Sequence, residues 1–172
     1  MTAYVALLRA VNVGGTGKLP MTELTSMCEK AGFENVKTYI ASGNVVFTSA
    51  KSEKAVKAAL EKALADFAGK EVPVMVRTAA EMAAVAKANP FADAPGNRVL
   101  AILLDAAPPK DALDHARHVD GEEMALGKRE IYVRYTDHGM GQSKLVIPAG
   151  KRGTGRNMNT IAKLAAMAAA LG

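Results

Sequence analysis

Residues 36–49 contain two β-rich runs that meet at Gly43-Asn44, and no other stretch constrains the fold as strongly. Glycine adopts a positive φ at no steric cost, so this pair predicts a two-residue hairpin turn. The turn sets a register in which Ser42 opposes Val45. Apolar residues alternate onto both faces of the predicted ribbon, and we therefore expect both faces of the sheet to be covered.

The first half of the chain places a helix on each side of this hairpin. An almost wholly apolar run over residues 4–11 predicts a central, buried strand. Helical spacing of apolar residues predicts one helix within residues 20–32 and another that begins after Ser52. A last strand over residues 72–77 contains a proline, which favours the edge of a sheet. The order β-α-β-β-α-β predicts a ferredoxin-like (split βαβ) unit over residues 1–77.

Residues 78–172 have the pattern of a second, degenerate copy of this unit. A capping-box pattern at residues 78–81 opens a helix, and residues 99–104 predict a buried strand. A helix is expected over residues 108–118, and a second hairpin at Gly127-Lys128. The sequence thus predicts an α+β protein with two ferredoxin-like halves packed together. A homodimer would cover the two sheets equally well, so a monomer and a homodimer both stay open.

Composition and charge indicate in which compartment the protein works and which partners it attracts. The chain has 172 residues, 49% of them hydrophobic, and its single cysteine, Cys28, excludes an internal disulfide framework and suits a reducing compartment. No signal-peptide pattern and no apolar run of about 20 residues is present, so we expect a cytoplasmic protein with no membrane partner. The net charge is +5, and residues 128–172 hold eight basic and two acidic residues. Such a surplus attracts phosphates or nucleic acid, although scattered surface lysines give the same count.

Chain direction predicts one polar end in the first half. The first strand ends where the second enters its hairpin, so the Gly-rich segment after residue 11 should lie beside the hairpin and near the start of the first helix. Free backbone amides, a helix N-terminus and a lysine favour anion binding there. The alternative is that Asn12 and Ser42 only bond the backbone of their own turns. The predicted ligand-binding residues of this polar end are Arg9, Asn12, Gly14, Gly15, Lys18, Ser42, Gly43 and Asn44.

A second polar group precedes the last helix. Arg156, Asn157 and Asn159 could hold an anion at the start of that helix, or Asn157 could cap the helix beside solvated arginines. Neither this segment nor residues 14–18 completes a phosphate-loop or dinucleotide-binding pattern.

The remaining reactive side chains predict no further site. Asp111, His115 and His118 would share one face of a helix, a spacing more typical of a solvated surface, and we predict no metal. No set of nucleophile, base and acid is apparent, and no cofactor is predicted. Aromatic residues on strands could stack nucleic-acid bases, but core packing is favoured for these, which are Tyr39, Tyr132 and Tyr135.

Three blocks of the sequence are distinctive as a set. They are residues 4–24, with Arg9-Ala10-Val11-Asn12-Val13-Gly14-Gly15; residues 37–47; and residues 129–160, with Gly153-Thr154-Gly155-Arg156-Asn157-Met158-Asn159. Together they resemble the bacterial family catalogued as domain of unknown function 1697. The resemblance implies an α+β protein with paired ferredoxin-like halves and no assigned activity. Met158 stands where the family usually has tryptophan, and the segment between Leu145 and Gly153 is shorter than usual.

These patterns are consistent with three functions. The favoured expectation is a binding protein for a phosphate-bearing small molecule or nucleic acid at the polar end. The alternatives are an enzyme that acts on an anionic small molecule there, and a structural or oligomerisation module with no ligand. The absence of a recognisable general base disfavours the enzyme.

Overall fold

The computed structural model describes residues 1–9, 19–39, 43–137 and 139–171. Five of the predicted site residues lie outside these ranges: Asn12, Gly14, Gly15, Lys18 and Ser42. The described chain forms two four-stranded antiparallel sheets together with α-helices, which confirms the predicted α+β class. Within these same ranges, no helix has the length and apolar character that crossing a membrane requires.

The first sheet has the topology that the sequence predicts. Its strands lie in the order β2-β3-β1-β4, and the two helices follow β1 and β3 in the chain as in a split βαβ unit. The strand with the proline before it, β4, is at the predicted edge. The elements are β1 (Thr2–Leu8), α1 (Met21–Lys30), β2 (Glu34–Tyr39), β3 (Asn44–Ser49), α2 (Glu53–Ala68) and β4 (Val74–Thr78).

The second sheet repeats this strand order without the intervening α-helices. Its order is β6-β7-β5-β8, so that β5 and β7 take the central places held by β1 and β3 in the first sheet. Helix α3 precedes the sheet and α4 follows it. The elements are α3 (Ala79–Lys87), β5 (Val99–Leu103), β6 (Glu123–Leu126), β7 (Glu130–Arg134), β8 (Thr154–Asn157) and α4 (Met158–Ala169).

The helix predicted over residues 108–118 is wrong. Only Ala112–His115 form a helical turn, of the 3-10 type, and Ala116 is already extended. Arg117 then pairs with Val146 in an isolated antiparallel bridge, and its N–H donates to the Val146 carbonyl at 2.8 Å. Because this pairing uses the backbone groups that a helix would need, tertiary contacts override the local helical pattern.

The chain divides into two compact units. The first unit comprises residues 1–83 and 163–172 and contains the first sheet, and the second unit comprises residues 84–162 and contains the second sheet. The predicted division into residues 1–77 and 78–172 stays a prediction.

Local signals at the helix ends are confirmed. The Ser52 hydroxyl accepts the N–H of Ala55 at 3.2 Å as the N-cap of α2. Thr78 and Glu81 form the reciprocal capping box, with the Thr78 N–H 2.9 Å from the Glu81 carboxylate and the Glu81 N–H 3.1 Å from the Thr78 hydroxyl. Gly32 has a φ of 88° after α1, which is the expected left-handed stop.

Both faces of the first sheet are buried along β1, β3 and β4, as expected, whereas the residues of β2 are exposed or half-buried. One face packs on α1 and α2 in a core that includes Phe47 of β3, which stacks on Phe33 with ring centroids 4.4 Å apart. On the other face Val5, Val46 and Arg77 are at most 2% exposed. Cys28 lies in the helix-covered core, and burial, followed by the charge of Glu29, raises the pKa of its thiol to about 12. The residue is therefore a core side chain, as predicted, rather than a reactive thiol.

The predicted hairpin register is wrong by four residues. Thr38, not Ser42, opposes Val45, and Tyr39 opposes Asn44. Asn44 is thus the first residue of β3 instead of part of a two-residue turn, and its side-chain amide donates to the Tyr39 carbonyl at 3.1 Å. Since the shift is an even number of residues, Val45 stays on the predicted face of the sheet.

Candidate functional site

The end of the first sheet brings together the two segments that carry the polar end. The N–H of Leu8, the last residue of β1, donates to the carbonyl of Gly43 at 2.8 Å. Leu7 pairs with Asn44 in the adjacent position. Residue 9 and residue 43 therefore leave the sheet from neighbouring points of adjacent strands.

Gly43 adopts the backbone conformation that the hairpin signal predicts. Its φ is 82°, in the left-handed region that L side chains rarely adopt. This conformation aims the Gly43 carbonyl at β1 while the chain arrives from β2. The backbone consequently favours glycine here, although the turn is longer than the predicted one.

Asn44 supports the ends of two strands. Its side chain is fully buried and donates to the Tyr39 carbonyl. An amide in this position holds the end of β2 against the start of β3. Asn44 therefore has a positioning role in the sheet, and its contact with a ligand stays a prediction.

Arg9 lies at the same end of the sheet. Its backbone N–H donates to the Pro73 carbonyl at 3.0 Å, and the residue is half-buried. This contact anchors the start of the Gly-rich segment to the chain that enters β4. Arg9, Gly43 and Asn44 thus converge among the described residues, whereas the convergence of the other predicted residues stays a prediction.

Helix α1 has its N-terminus toward this end. Its last residue, Lys30, is followed closely by Glu34, which opposes Thr48 at the far end of the sheet. Pro20 occupies the N-cap position of α1 and has no side-chain oxygen, so no side-chain cap bonds the first turn. The uncapped amides of a helix N-terminus favour an anion.

One member of the second predicted group, Asn157, has a structural role. The Asn157 side-chain oxygen accepts the N–H of Thr160 at 2.9 Å, which confirms Asn157 as the cap of α4. Asn159 is exposed and lies so close to Gly96 that a Cβ on the glycine would come within 2.1 Å of its side-chain oxygen. Asn157 therefore supports the start of the helix, and Asn159 lies beside the segment that precedes β5.

Arg156 occupies the position in the second sheet that Arg77 has in the first. Arg156 on β8 opposes Ala101, and Arg77 on β4 opposes Val5, each on the central strand of its sheet. Each guanidinium donates to the carbonyl of the preceding residue at 2.9 Å. Burial lowers the pKa of Arg156 to about 10, which leaves the group charged at neutral pH. The repeated position favours a structural role for Arg156.

Residues 1–132 match a family described as "Protein of unknown function (DUF1697)". The chain belongs to the DUF1697 family. The part of the third sequence block from Gly139 onward lies beyond the matched residues.

One solved structure similar to this DUF1697 chain is that of the conserved bacterial protein SP0830 from Streptococcus pneumoniae. The two are 24% identical with a TM-score of 0.79, and the similarity covers 97% of this chain and 98% of that chain. At this identity the likeness supports the fold and nothing further. No curated protein matches the chain.

Several other predicted side chains have clear positions in this DUF1697 structure. The Nε2 atom of His115, the last residue of the 3-10 turn, lies 3.1 Å from the carboxylate of Asp111, and both side chains are exposed. His118 lies beyond the turn and has a φ of 59°. Tyr132 is 1% exposed, and its hydroxyl donates to the Val85 carbonyl at 2.7 Å, so core packing is confirmed and its ring is not available to stack a base.

The sequence gives no signal for a buried carboxylate in the second unit. Glu122 accepts the hydroxyl of Ser143 at 2.5 Å and the N–H of Asp120 at 2.5 Å. The Ser143 bond, then the Asp120 bond, lowers the pKa of Glu122. Glu122 and Ser143 are 21 residues apart in the sequence, in irregular segments where no periodicity relates them. They line a cavity of about 480 Å³ together with His118 and Lys144.

Proposed function

We propose that this DUF1697 protein binds a small phosphate-bearing ligand at the polar end of its first sheet. The observation that carries the proposal is the 2.8 Å bond from the Leu8 N–H to the Gly43 carbonyl. It makes the starting points of the Gly-rich segment and of the hairpin loop adjacent. Residues 12–18 supply Asn12, three glycines and Lys18 from that starting point.

The chemistry of these residues suits phosphate. Glycine-rich turns present backbone N–H groups without side chains in the way, and a helix N-terminus adds partial positive charge. Arg9 and Lys18 supply full positive charges in the same segment. Residues 8–20 contain no carboxylate that would oppose an anion, and the next one along the chain is Glu23 in the first turn of α1.

A small molecule is favoured over nucleic acid by the positions of the aromatic side chains. Single-stranded nucleic acid is generally bound by aromatic rings that stack on bases along an extended surface. Tyr4 and Tyr132 are buried in the two sheets, with 4% and 1% of their surfaces exposed, and Tyr39 and Tyr135 are half-buried. None of the four tyrosines is fully exposed, which favours a ligand held mainly through its phosphate.

The proposal is tested by calorimetric titration of the full chain with pyrophosphate and with a panel of nucleotides and sugar phosphates. Lys18→Ala and Arg9→Ala should each weaken binding about tenfold, equivalent to about 1.4 kcal/mol. Lys54→Ala is the matched control, because Lys54 is an exposed lysine on α2 in the same unit. Equal affinity in all three variants, or no binding by the parent protein, contradicts the proposal.

A single-stranded RNA oligomer in the same assay separates the two ligand classes. Nucleic acid binding through several phosphates falls steeply with salt, with a slope set by the number of contacts. RNA that displaces pyrophosphate with such a slope would assign the site to nucleic acid. RNA that does not compete supports the small-molecule ligand.

A further inference from the structure

A second concave site lies in the second unit, away from the residues of the polar end in the sequence. It is a cleft of about 450 Å³, within the range that small ligands occupy. Its apolar wall is formed by Ile102 of β5 and by Leu145, Ile147 and Pro148 of the segment before β8. The proposed phosphate site uses none of these residues.

Backbone pairing holds the two walls of the cleft in place. Arg117 and Val146 exchange two hydrogen bonds, of 2.8 and 2.9 Å, which fix the segment after the 3-10 turn against the segment before β8. The chain then turns back, and the N–H of Gly150 donates to the Ile147 carbonyl at 2.9 Å. The cleft is thus formed by bonded backbone and does not depend on a free loop.

Gly150 keeps the cleft open. A Cβ built on this residue would lie 3.4 Å from the Cδ1 atom of Ile102, which is ordinary van der Waals contact. Both residues line the cleft, so any side chain larger than a methyl group would extend into it or displace its wall. Gly150 has no positive φ, so the backbone itself does not require glycine here.

The two charged side chains that line the cleft are both cations. Arg117 and Lys151 both line it and are exposed, and no acidic residue is among its lining residues. Tyr135 adds a half-buried phenol, whose pKa is raised by burial and then by the charge of Glu122. The phenol therefore stays protonated and can donate a hydrogen bond. The neighbouring cavity differs, because Asp120 and Glu122 line it.

We propose that this cleft binds a small organic anion, with its aliphatic or aromatic body against Ile102 and Ile147 and its carboxylate or phosphate at Arg117 and Lys151. The apolar wall supplies binding by removing hydrocarbon from water, and the two cations at the edge fix the orientation. A cationic or neutral molecule of the same shape gains only the first of these contributions.

The test uses 8-anilinonaphthalene-1-sulfonate, an aromatic anion whose fluorescence rises in apolar surroundings, with the full folded chain. We expect saturable binding with one molecule per chain and displacement by octanoate. Octylammonium and octanol should displace it at least tenfold less effectively. Equal displacement by octanoate and octylammonium overturns the charge assignment, and absence of saturable binding to the native chain overturns the site.

Paired variants locate the bound anion. Arg117→Ala and Lys151→Ala should each raise the dissociation constant about three- to tenfold, whereas Lys144→Ala, an exposed lysine at the neighbouring cavity, should leave it unchanged. An effect of Lys144→Ala equal to the other two places the anion elsewhere and overturns the proposal.

A filled cleft provides an independent check. Gly150→Leu should abolish saturable binding of the fluorescent anion, whereas Gly141→Leu, which adds the same side chain where nothing lies within 4 Å of a Cβ, should leave that binding unchanged. Native circular dichroism of each variant establishes folding before titration, and the surface variants decide the question if Gly150→Leu does not fold. Lys18→Ala should leave octanoate binding unchanged, so this proposal and the phosphate proposal succeed or fail separately.

Discussion

Replacement of Gly43 by alanine tests the backbone geometry on which the polar end depends. The φ of Gly43 is 82°, and a Cβ in the left-handed region approaches the following carbonyl at a cost of about 1–2 kcal/mol. Alanine also lowers the entropy of the unfolded chain, which offsets about 0.4–1 kcal/mol of this loss where the native conformation is unstrained. We expect a net loss of about 1 kcal/mol in the free energy of unfolding. For a chain of this length, that loss lowers the melting temperature by about 2–4 °C.

Urea denaturation of matched glycine variants measures this loss. Gly69 has a φ of 70° at the end of α2 and should lose a similar amount as Gly69→Ala. Gly141 has no positive φ and nothing within 4 Å of a Cβ, so Gly141→Ala should stay within about 0.5 kcal/mol of the parent protein. Asparagine tolerates the left-handed region, and Gly43→Asn should be milder than Gly43→Ala. A Gly43→Ala protein as stable as the parent, beside a destabilised Gly69→Ala protein, would refute the assigned conformation.

Three further predictions concern other buried groups. Because burial raises the pKa of Cys28 to about 12, the native thiol should react with a thiol-disulfide reagent at pH 8 far more slowly than the urea-unfolded thiol, as measured by absorbance. Gly127→Ala should be destabilised, since its Cβ would meet the Glu130 carboxylate at 2.3 Å; equal melting temperatures of variant and parent would contradict this. The hydrogen bond from Ser143 lowers the pKa of Glu122 below its usual 4.5, so the stabilisation that it brings is present above about pH 4.5 and is lost as pH falls through the lowered value. The stability difference between parent and Ser143→Ala, followed by urea denaturation from pH 7 to pH 3, should therefore shrink on acidification, and a difference independent of pH would contradict the assignment.

The elements of the first sheet follow from local sequence patterns because each pattern has a direct physical cause. The serine before α2 and the Thr78–Glu81 pair satisfy helix amides in any context, and both form as predicted. The hairpin register does not follow, because Gly43-Asn44 is also compatible with a longer connection. The buried bond from Asn44 to the Tyr39 carbonyl selects that longer connection, and its burial depends on the whole sheet.

The second unit was less predictable, since its helical and strand signals are weaker than its tertiary contacts. Residues 108–118 have a helical pattern, but the bridge between Arg117 and Val146 makes the backbone extended. Strand β8 contains Gly155 and has no apolar alternation, so only its pairing with β5 defines it as a strand. Burial of the repeated arginines is likewise a property of the sheet and not of their neighbours in sequence.

The two candidate sites also differ in how far the sequence alone predicts them. Chain direction alone predicts that the end of β1 lies beside the start of β3. The bond from the Leu8 N–H to the Gly43 carbonyl agrees with that expectation. Arg117 and Lys151 lie in segments without periodicity, 34 positions apart in the sequence, so no pattern relates them before the fold is known. The capping role of Asn157 was one of the two alternatives that the sequence left open.

An amide NMR titration of the labelled chain with pyrophosphate tests the proposed function most directly. The account predicts saturable shifts of the Arg9 and Gly43 amides, which vanish or require at least tenfold more pyrophosphate in Lys18→Ala, while the exposed Lys54 amide stays unchanged. Shifts confined to residues 157–160, or no saturable shift at Arg9 and Gly43, would contradict a phosphate site at the polar end.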